Sequence, residues 1–355
     1  MKTHRSIKFI DLNHFSNSSQ SYKSLLILSI VILTVPVMAG CCKTAHLQDG
    51  GFTEARHQTS VKLAVHQPYE SRIQSIAAMV FNDDLLQKLE CYQKTSYFSG
   101  DSLDIGSCTG NKILILCANA ELEESDLNNA NSFSNACSLE INLEDEDLSY
   151  PSMSATAHIT AGEGTEIVME RLSSEIELRS ICCDFAGKPY DGEIITDARI
   201  YLTNVNATCD IIPTETSTIK RIINHGSLIM DDVKSFKNKI NIIDSIGNIS
   251  RDFTYPQSRF LCFPNTSAQE SAGTPFTRLV IEGEIMGETW YWPININREQ
   301  GEDHEGIERN NKYIYDITIR AKGTKDPDIP VNPEAAVLKF GVEKWKEKDA
   351  YNVEF

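Results

Sequence analysis

The stretch Lys312–Ile319, KYIYDITI, decides the fold class of this chain. Successive side chains of an extended strand point to opposite sides, so every second residue shares a face. One face of this stretch is wholly apolar and carries Tyr313, Tyr315, Ile317 and Ile319. Short runs of similar character, separated by Gly, Asn, Asp and Pro, recur at residues 61–65, 73–81, 112–118, 176–181, 200–205, 259–263, 279–285 and 290–296. This pattern predicts an all-β protein built from antiparallel β-sandwiches.

The small and polar stretch over residues 150–165, YPSMSATAHITAGEGT, separates two strand-rich halves. Domain boundaries fall in such segments. We therefore expect an N-terminal β-sandwich domain over residues 57–158 and a C-terminal β-sandwich domain over residues 159–328. A linker and a pair of strands follow over residues 329–355. Helical patterns are few and are limited to residues 83–88 and 122–129.

The last segment of the sequence carries two further amphipathic runs, one after a proline-bearing connector and one after a charged interval. Their apolar positions are Leu338, Phe340, Val342, Trp345, Tyr351, Val353 and Phe355. Exposed strands of this kind promote aggregation, because their edges pair with other chains. We therefore expect these strands to pair with a sheet, either of this subunit or of another one.

The first 40 residues have the pattern of a secretory signal. Basic residues precede an apolar run at residues 25–39, and the small pair Ala39-Gly40 ends it. As a helix, the run would be only about 22 Å long, shorter than the hydrocarbon core of a bilayer. The segment Met38-Ala39-Gly40-Cys41 resembles a bacterial lipobox, which predicts that Cys41 is acylated and tethers residues 41–56 to a membrane. The alternative is an ordinary signal followed by incidental cysteines.

The charge of the chain excludes nucleic acid as a partner. The formal net charge is −17 for 355 residues. The predicted signal, residues 1–40, holds four basic residues and one acid, so the remainder carries about −20 and would repel phosphates. Eight cysteines lie beyond Cys42, and we assign no disulfide pairs. Cys117 and Cys262 stand inside apolar runs, which favours buried free thiols.

Catalytic motifs are missing from the sequence. It contains no HExxH helix, no GxSxG turn and no phosphate-binding loop. The acidic run at residues 140–147, EINLEDED, lacks the spacing and the glycine of a calcium loop. We therefore predict a protein that is not an enzyme, with no catalytic residue, no metal and no cofactor.

Several segments, taken in their order, carry a resemblance to a known family. They are ESRIQSIAAMVFN at 70–82, TGNKILILCANAE at 109–121, EIVMERLSSEIELRSI at 166–181, FLCFPN at 260–265, TRLVIEG at 277–283 and GIERNNKYIYDITIRAKGTKDPD at 306–328. The last is the most specific, because an Arg-Asn pair before the strand and a Gly-x-x-x-Pro-Asp motif after it occur together. The chain resembles the fimbrillins of Bacteroidales, the type V pilins that include FimA-like and Mfa-like subunits.

The resemblance implies two tandem transthyretin-like sandwiches with donor-type strands at the C-terminus. It also implies a lipoprotein precursor carried to the cell outer membrane and a surface protease that cuts after an arginine. The cut removes an N-terminal strand and opens a groove, which a strand of another subunit fills. The implied partners are other fimbrial subunits, the outer membrane, and ligands on host or bacterial surfaces.

Carried onto this sequence, the resemblance assigns the seven apolar positions from Leu338 to Phe355 to the donor strands, and Arg56 to the cleavage site. Arg72 is less suitable for cleavage because a core strand follows it. If Arg56 is only a linker charge, the subunit keeps its lipid and is an anchor at the base of a fibre. The alternative from a different class is a glycan-binding surface lipoprotein, in which Trp290 and Trp292 stack on sugars.

Overall fold

The computed structural model describes residues 43–44, 57–65, 73–100, 102–213, 219–236, 240–298, 306–331 and 336–344. The described strands are β1 Lys43–Thr44, β2 His57–Val65, β3 Ile76–Asn82, β4 Leu89–Thr95, β5 Ser102–Cys108, β6 Asn111–Ala118, β7 Glu140–Asn142, β8 Met153–Thr160, β9 Thr165–Arg171, β10 Ser174–Cys183, β11 Ile195–Thr203, β12 Val205–Asn206, β13 Thr208–Asp210, β14 Ile222–Ile223, β15 Ile243–Ile249, β16 Ser258–Cys262, β17 Arg278–Ile285, β18 Glu288–Asn295, β19 Asn311–Ile319 and β20 Ala336–Lys344. Three short helices are α1 Glu124–Asn129, α2 Phe133–Cys137 and α3 Met230–Ser235. The protein is all-β, as predicted.

The strands form three larger sheets. The first has the order β1-β4-β3-β6-β8-β9-β2-β5, the second β16-β10-β19-β20, and the third β15-β11-β17-β18. The prediction of purely antiparallel sandwiches is wrong in two places, because β10 pairs with β19 and β2 pairs with β9 in parallel. Parallel neighbours need long connections, and each of these pairs joins strands that are far apart in the sequence.

The strands β3 and β6 lie at the centre of the first sheet and are buried on both faces. Ala78, Val80, Leu114 and Leu116 join one buried cluster with side chains of β2, β5 and β9. The alternate residues, such as Met79 and Ile115, join a second cluster that includes side chains of the second and third sheets. Burial on both faces explains why these strands are continuous apolar runs in the sequence rather than alternating ones.

The first sheet extends as far as Arg171, and the second begins at Ser174. The domain boundary expected between residues 158 and 159 thus lies inside β8, which pairs with β6 over its whole length. The strand pairing favours a boundary at residues 172–173 instead. The division into two domains stays a proposal.

The two helical patterns have different outcomes. Residues 124–129 form α1, which begins where the Asp126 carboxylate accepts a hydrogen bond from the Glu123 N–H at 2.8 Å. The helix predicted for residues 83–88 is wrong. The Asp84 carboxylate accepts hydrogen bonds from the N–H groups of Leu86 and Gln87 at 2.9 and 2.8 Å, which closes a tight turn between β3 and β4.

Candidate functional site

The strand β20 is the last that the structure describes, and it forms one edge of the second sheet. It pairs antiparallel with β19 over nine consecutive residues, from Asn311 opposite Lys344 to Ile319 opposite Ala336. A strand at the edge of a sheet presents main-chain groups that can pair with a strand of another chain.

The register of this pairing aligns the apolar positions of the two strands. Leu338 lies opposite Ile317, Phe340 opposite Tyr315 and Val342 opposite Tyr313. Val342 is half-buried and packs against the core. The other predicted donor positions, Trp345, Tyr351, Val353 and Phe355, lie outside the described residues.

Two tyrosines anchor β19 below this edge. Tyr313 and Tyr315 are almost completely buried. The Tyr313 hydroxyl accepts a hydrogen bond from the Glu308 N–H at 2.9 Å, and the Tyr315 hydroxyl accepts one from the Asn297 N–H at 3.3 Å. Burial raises the pKa of Tyr313 to about 12, so its hydroxyl stays protonated and the apolar face stays uncharged.

The face of the second sheet that lies opposite to Tyr313 and Tyr315 carries a row of paired charges. The buried Glu175 on β10 accepts two hydrogen bonds from Arg259 on β16, at 2.7 and 2.6 Å. Lys312 on β19 lies 2.7 Å from Glu177 and 3.3 Å from Glu175.

The row of charges continues in the register of β20. Asp316 on β19 accepts a hydrogen bond from Arg179 at 3.1 Å and one from Ser180 at 2.5 Å. Lys339 stands opposite Asp316, and Glu343 stands opposite Lys312. Opposite charges on facing residues favour this register over slipped ones.

At the other end of the chain, β1 covers the edge of the first sheet. Lys43 pairs with Tyr92 and Thr44 pairs with Cys91 on β4. These two residues of β1 belong to the predicted tether, residues 41–56. Tyr92 and Cys91 are buried, one in each of the two core clusters. The predicted lipidation site Cys41 and cleavage site Arg56 lie outside the described residues.

A residue that the sequence did not single out, Arg309, connects β19 to the first sheet. Its Nε donates to the Arg171 carbonyl at 3.1 Å, and its Nη2 donates to the Glu170 carbonyl at 2.8 Å and to the Ser154 hydroxyl at 3.2 Å. Arg309 belongs to the Arg-Asn pair of the most specific family segment. That position before a strand was the only signal in the sequence for its role.

The connector after β19 is also held in place. The backbone of Thr324 pairs with that of Tyr291 on β18. Gly323 lies so close to β18 that a Cβ on it would come within 1.9 Å of the Tyr291 carbonyl oxygen. Beyond it, the Asp328 carboxylate accepts a hydrogen bond from the buried Arg278 at 2.5 Å. The Gly-x-x-x-Pro-Asp motif therefore fixes the path of the chain from β19 toward β20.

The tryptophans of the glycan-binding alternative do not form an open platform. Trp292 is fully buried, and its Nε1 donates to the Ala321 carbonyl at 2.9 Å. The Trp290 ring is covered by Lys325, whose Nζ lies 3.6 Å from the ring centre. Lys322 lies over the same ring at 4.9 Å. Trp292 is therefore inaccessible to a sugar, and a sugar on the Trp290 ring would compete with two lysines for contact.

Cysteines, metals and membrane spans add little to the site. Cys117 and Cys262 are buried free thiols, as predicted, and burial raises the pKa of Cys117 to about 12. Within the described residues, no three His, Cys, Asp or Glu side chains come together as a metal site. None of the helices that the structure describes is both long and apolar enough to cross a membrane.

No protein-family model matches the chain, and no curated protein does. Solved structures do match it. A fimbrilin (FimA) from Porphyromonas gingivalis W83 is 15% identical with a TM-score of 0.59, and the match covers 81% of this chain and 97% of that one. A "putative cell adhesion protein" from Bacteroides eggerthii is 14% identical with a TM-score of 0.62, and the match covers 84% and 98%.

A second protein of that name, from Parabacteroides distasonis, is 17% identical with a TM-score of 0.58 over 81% of this chain and 96% of that one. The structural neighbours are thus fimbrillins and cell adhesion proteins of Bacteroidales, and the predicted resemblance is confirmed in the fold. At these identities, the likeness is one of fold.

Proposed function

We propose that this chain is a structural subunit of a cell-surface fimbria, that it joins its neighbours by exchange of β-strands, and that it contributes to adhesion. The observation that carries the proposal is the β19–β20 pairing, in which a strand at a sheet edge forms a nine-residue antiparallel ladder. An equivalent ladder can form between β20 and an open sheet edge of another subunit, because main-chain hydrogen bonds do not depend on which chain supplies the strand.

The acceptor is the edge of β4. Cleavage after Arg56 releases residues 41–56 and with them β1, which covers Tyr92 and Cys91. The open edge lies beside the apolar cores on both faces of the first sheet. Burying each Leu, Val or Phe of an incoming strand is worth about 1.5–3 kcal/mol, so several of them would make the joint dissociate slowly.

Before cleavage, the acylated Cys41 holds the subunit at the cell outer membrane. If Arg56 is cut, the subunit enters the shaft of the fibre. If it is not, the lipid stays and the subunit is the anchor. N-terminal sequencing with lipid labelling separates the two roles: a mature chain that begins at His57 is a shaft subunit, and one that begins at an acylated Cys41 is an anchor.

Cleavage itself is tested with two arginine variants. Arg56→Gln should keep the lipid on the mature chain and prevent polymerisation, because β1 then stays on β4. Arg72→Gln is the matched control and should be processed like the wild type. Identical processing of Arg56→Gln and the wild type would contradict the cleavage assignment.

Strand exchange is tested on surface material run on SDS gels without boiling. The wild type should give a ladder that boiling collapses to the monomer. Val342→Asp should lose the ladder, because Val342 packs against the core. Glu343→Gln, one residue along on the other face of β20, should keep it. A single band that boiling leaves unchanged, in every variant and in the wild type, would refute strand exchange.

A further inference from the structure

Three side chains with complementary chemistry meet at one end of the first sheet. Asn82 ends β3, and Lys112 stands directly opposite it on the neighbouring strand β6. The Lys112 Nζ donates a hydrogen bond to the Asn82 Oδ1 at 2.8 Å. The Glu90 Oε2 lies 2.7 Å from the same Nζ. The carboxamide of Asn82 and the carboxylate of Glu90 are therefore both within contact distance of the Lys112 amine.

The group is largely shielded from water. Lys112 is only 6% exposed, which is rare for a lysine. It shares a face of β6 with Leu114 and Leu116, both fully buried in the core of the first sheet. The side chain of Glu90 is 21% exposed. The amine thus reaches the amide from the interior of the protein, with the carboxylate at the rim.

Glu90 reaches the amine because β4 is irregular at this point. In the β3–β4 ladder, Cys91 pairs with Val80 and Leu89 pairs with Phe81, so the register shifts and Glu90 has no partner. An extra residue of this kind re-aims the side chains around it and is enriched next to functional sites. The irregularity places Glu90 beside Lys112, which lies two strands away.

We propose that Lys112 and Asn82 form an intramolecular amide bond, with Glu90 as the catalytic acid and base. Glu90 accepts a proton from the Lys112 amine, with which its carboxylate is in contact. The neutral Nζ attacks the Asn82 Cγ, and a bond between Nζ and Cγ forms. Glu90 then returns the proton to Nδ2, the bond between Cγ and Nδ2 breaks, and ammonia leaves. The second proton on Nζ passes to the Glu90 carboxylate, which leaves a neutral substituted amide.

The reaction needs no oxidant, reductant or other reagent, because amine plus carboxamide gives substituted amide plus ammonia. Its acceleration comes from proximity and from proton transfer, which are the two contributions that this geometry supplies. The product ties β3 to β6, which are neighbours near the middle of the first sheet. The proposal does not depend on strand exchange, and it would hold for a subunit of any role.

Peptide mapping of the purified full chain tests the proposal. The denatured wild type is digested and its peptides are sequenced by mass spectrometry. We expect a branched peptide that joins the Asn82 and Lys112 segments and is lighter by one ammonia than the two together. If the wild type, shown by circular dichroism to be folded, gives both segments only as separate linear peptides at full mass, the proposal is wrong.

Variants exclude the competing chemistry. Asn82 could also lose ammonia alone, by closing on the following backbone nitrogen, so Lys112→Arg is decisive. If the Asn82 peptide of Lys112→Arg has its full mass, the loss of ammonia in the wild type depends on Lys112, which supports the amide bond. If that peptide is still lighter by one ammonia, Asn82 loses ammonia without Lys112, and the proposal is overturned. Glu90→Gln should leave both peptides linear, since an amide cannot accept the proton. Lys94→Arg, at a β4 lysine whose Nζ donates to the Leu122 carbonyl, is the matched control and should keep the branched peptide.

Discussion

Replacing Arg309 by Met should weaken the protein far more than removing an arginine from its surface. Arg309 donates three hydrogen bonds of 3.2 Å or less to the carbonyls of Arg171 and Glu170 and to the Ser154 hydroxyl. Met keeps the apolar stem and removes the donors. A hydrogen bond from a charged donor contributes about 1.5–3 kcal/mol, and these three are only part-buried, so the expected total loss is about 4–6 kcal/mol.

That loss is a large part of the total stability of a domain, which is about 5–15 kcal/mol. The free energy of unfolding is measured by urea titration with linear extrapolation. Arg179→Met is the matched control, because Arg179 is also a β-sheet arginine but is 55% exposed and pairs with Asp316. Exposed ion pairs contribute about 0–1 kcal/mol.

The place of the damage can be measured as well. Hydrogen exchange should speed up at the ends of β8 and β9, which Arg309 contacts, before it speeds up in β4. If Arg309→Met lost less than about 1 kcal/mol, or no more than Arg179→Met, the carbonyl contacts would be energetically unimportant. The account of why an arginine precedes β19 would then be refuted.

Three further changes probe single contacts. Burial raises the pKa of Glu146, so the folded chain holds its proton more tightly, and the free energy of unfolding falls as pH rises above about 4.3. In urea titrations, the free energy of unfolding of the wild type should therefore fall relative to that of Glu146→Gln as the pH rises above about 4.3. A difference that does not change with pH would contradict the raised pKa. Gly323→Ala should cost about 1–3 kcal/mol, because its Cβ would overlap the backbone of β18, whereas Gly273→Ala, with nothing within 4 Å, should cost little. Lys339→Glu places an acid opposite Asp316 and should cost about 0.2–1 kcal/mol, while Lys339→Gln should cost less in the same titration.

The strands were predictable because their side chains record which faces are buried. The alternation in residues 312–319 indicated one buried face, and β19 has one. The run at residues 112–118 was predicted as a strand, and it is apolar without alternation because β6 lies between two clusters. Residues 83–88 were predicted as a helix, but they form a turn. Leu85 and Leu86 are in fact exposed, so no buried face produced that pattern.

Contacts between strands distant in the sequence could not be predicted. The parallel pairing of β10 with β19, and the shift in register that brings Glu90 to Lys112, depend on how whole sheets close. The acceptors of Arg309 are main-chain carbonyls, which every residue has, so no sequence pattern marks them. Seen in the sequence alone, Lys112, Glu90 and Asn82 are a scattered lysine, acid and amide in a charged chain.

In the structure, β20 pairs with β19 of its own subunit. This pairing is compatible with the proposed strand exchange, but it limits when β20 can be donated. A strand held on a short connector has an effective concentration of about millimolar at its own edge, so a free subunit would rarely donate it. Donation therefore needs an acceptor that offers more than β19 does. The β4 edge can offer more, because it lies between two apolar cores, whereas the described side chains of β20 reach the core through Val342. On this argument, the removal of β1 is the step that makes exchange favourable, and a chain that keeps residues 41–56 should stay monomeric even at high concentration.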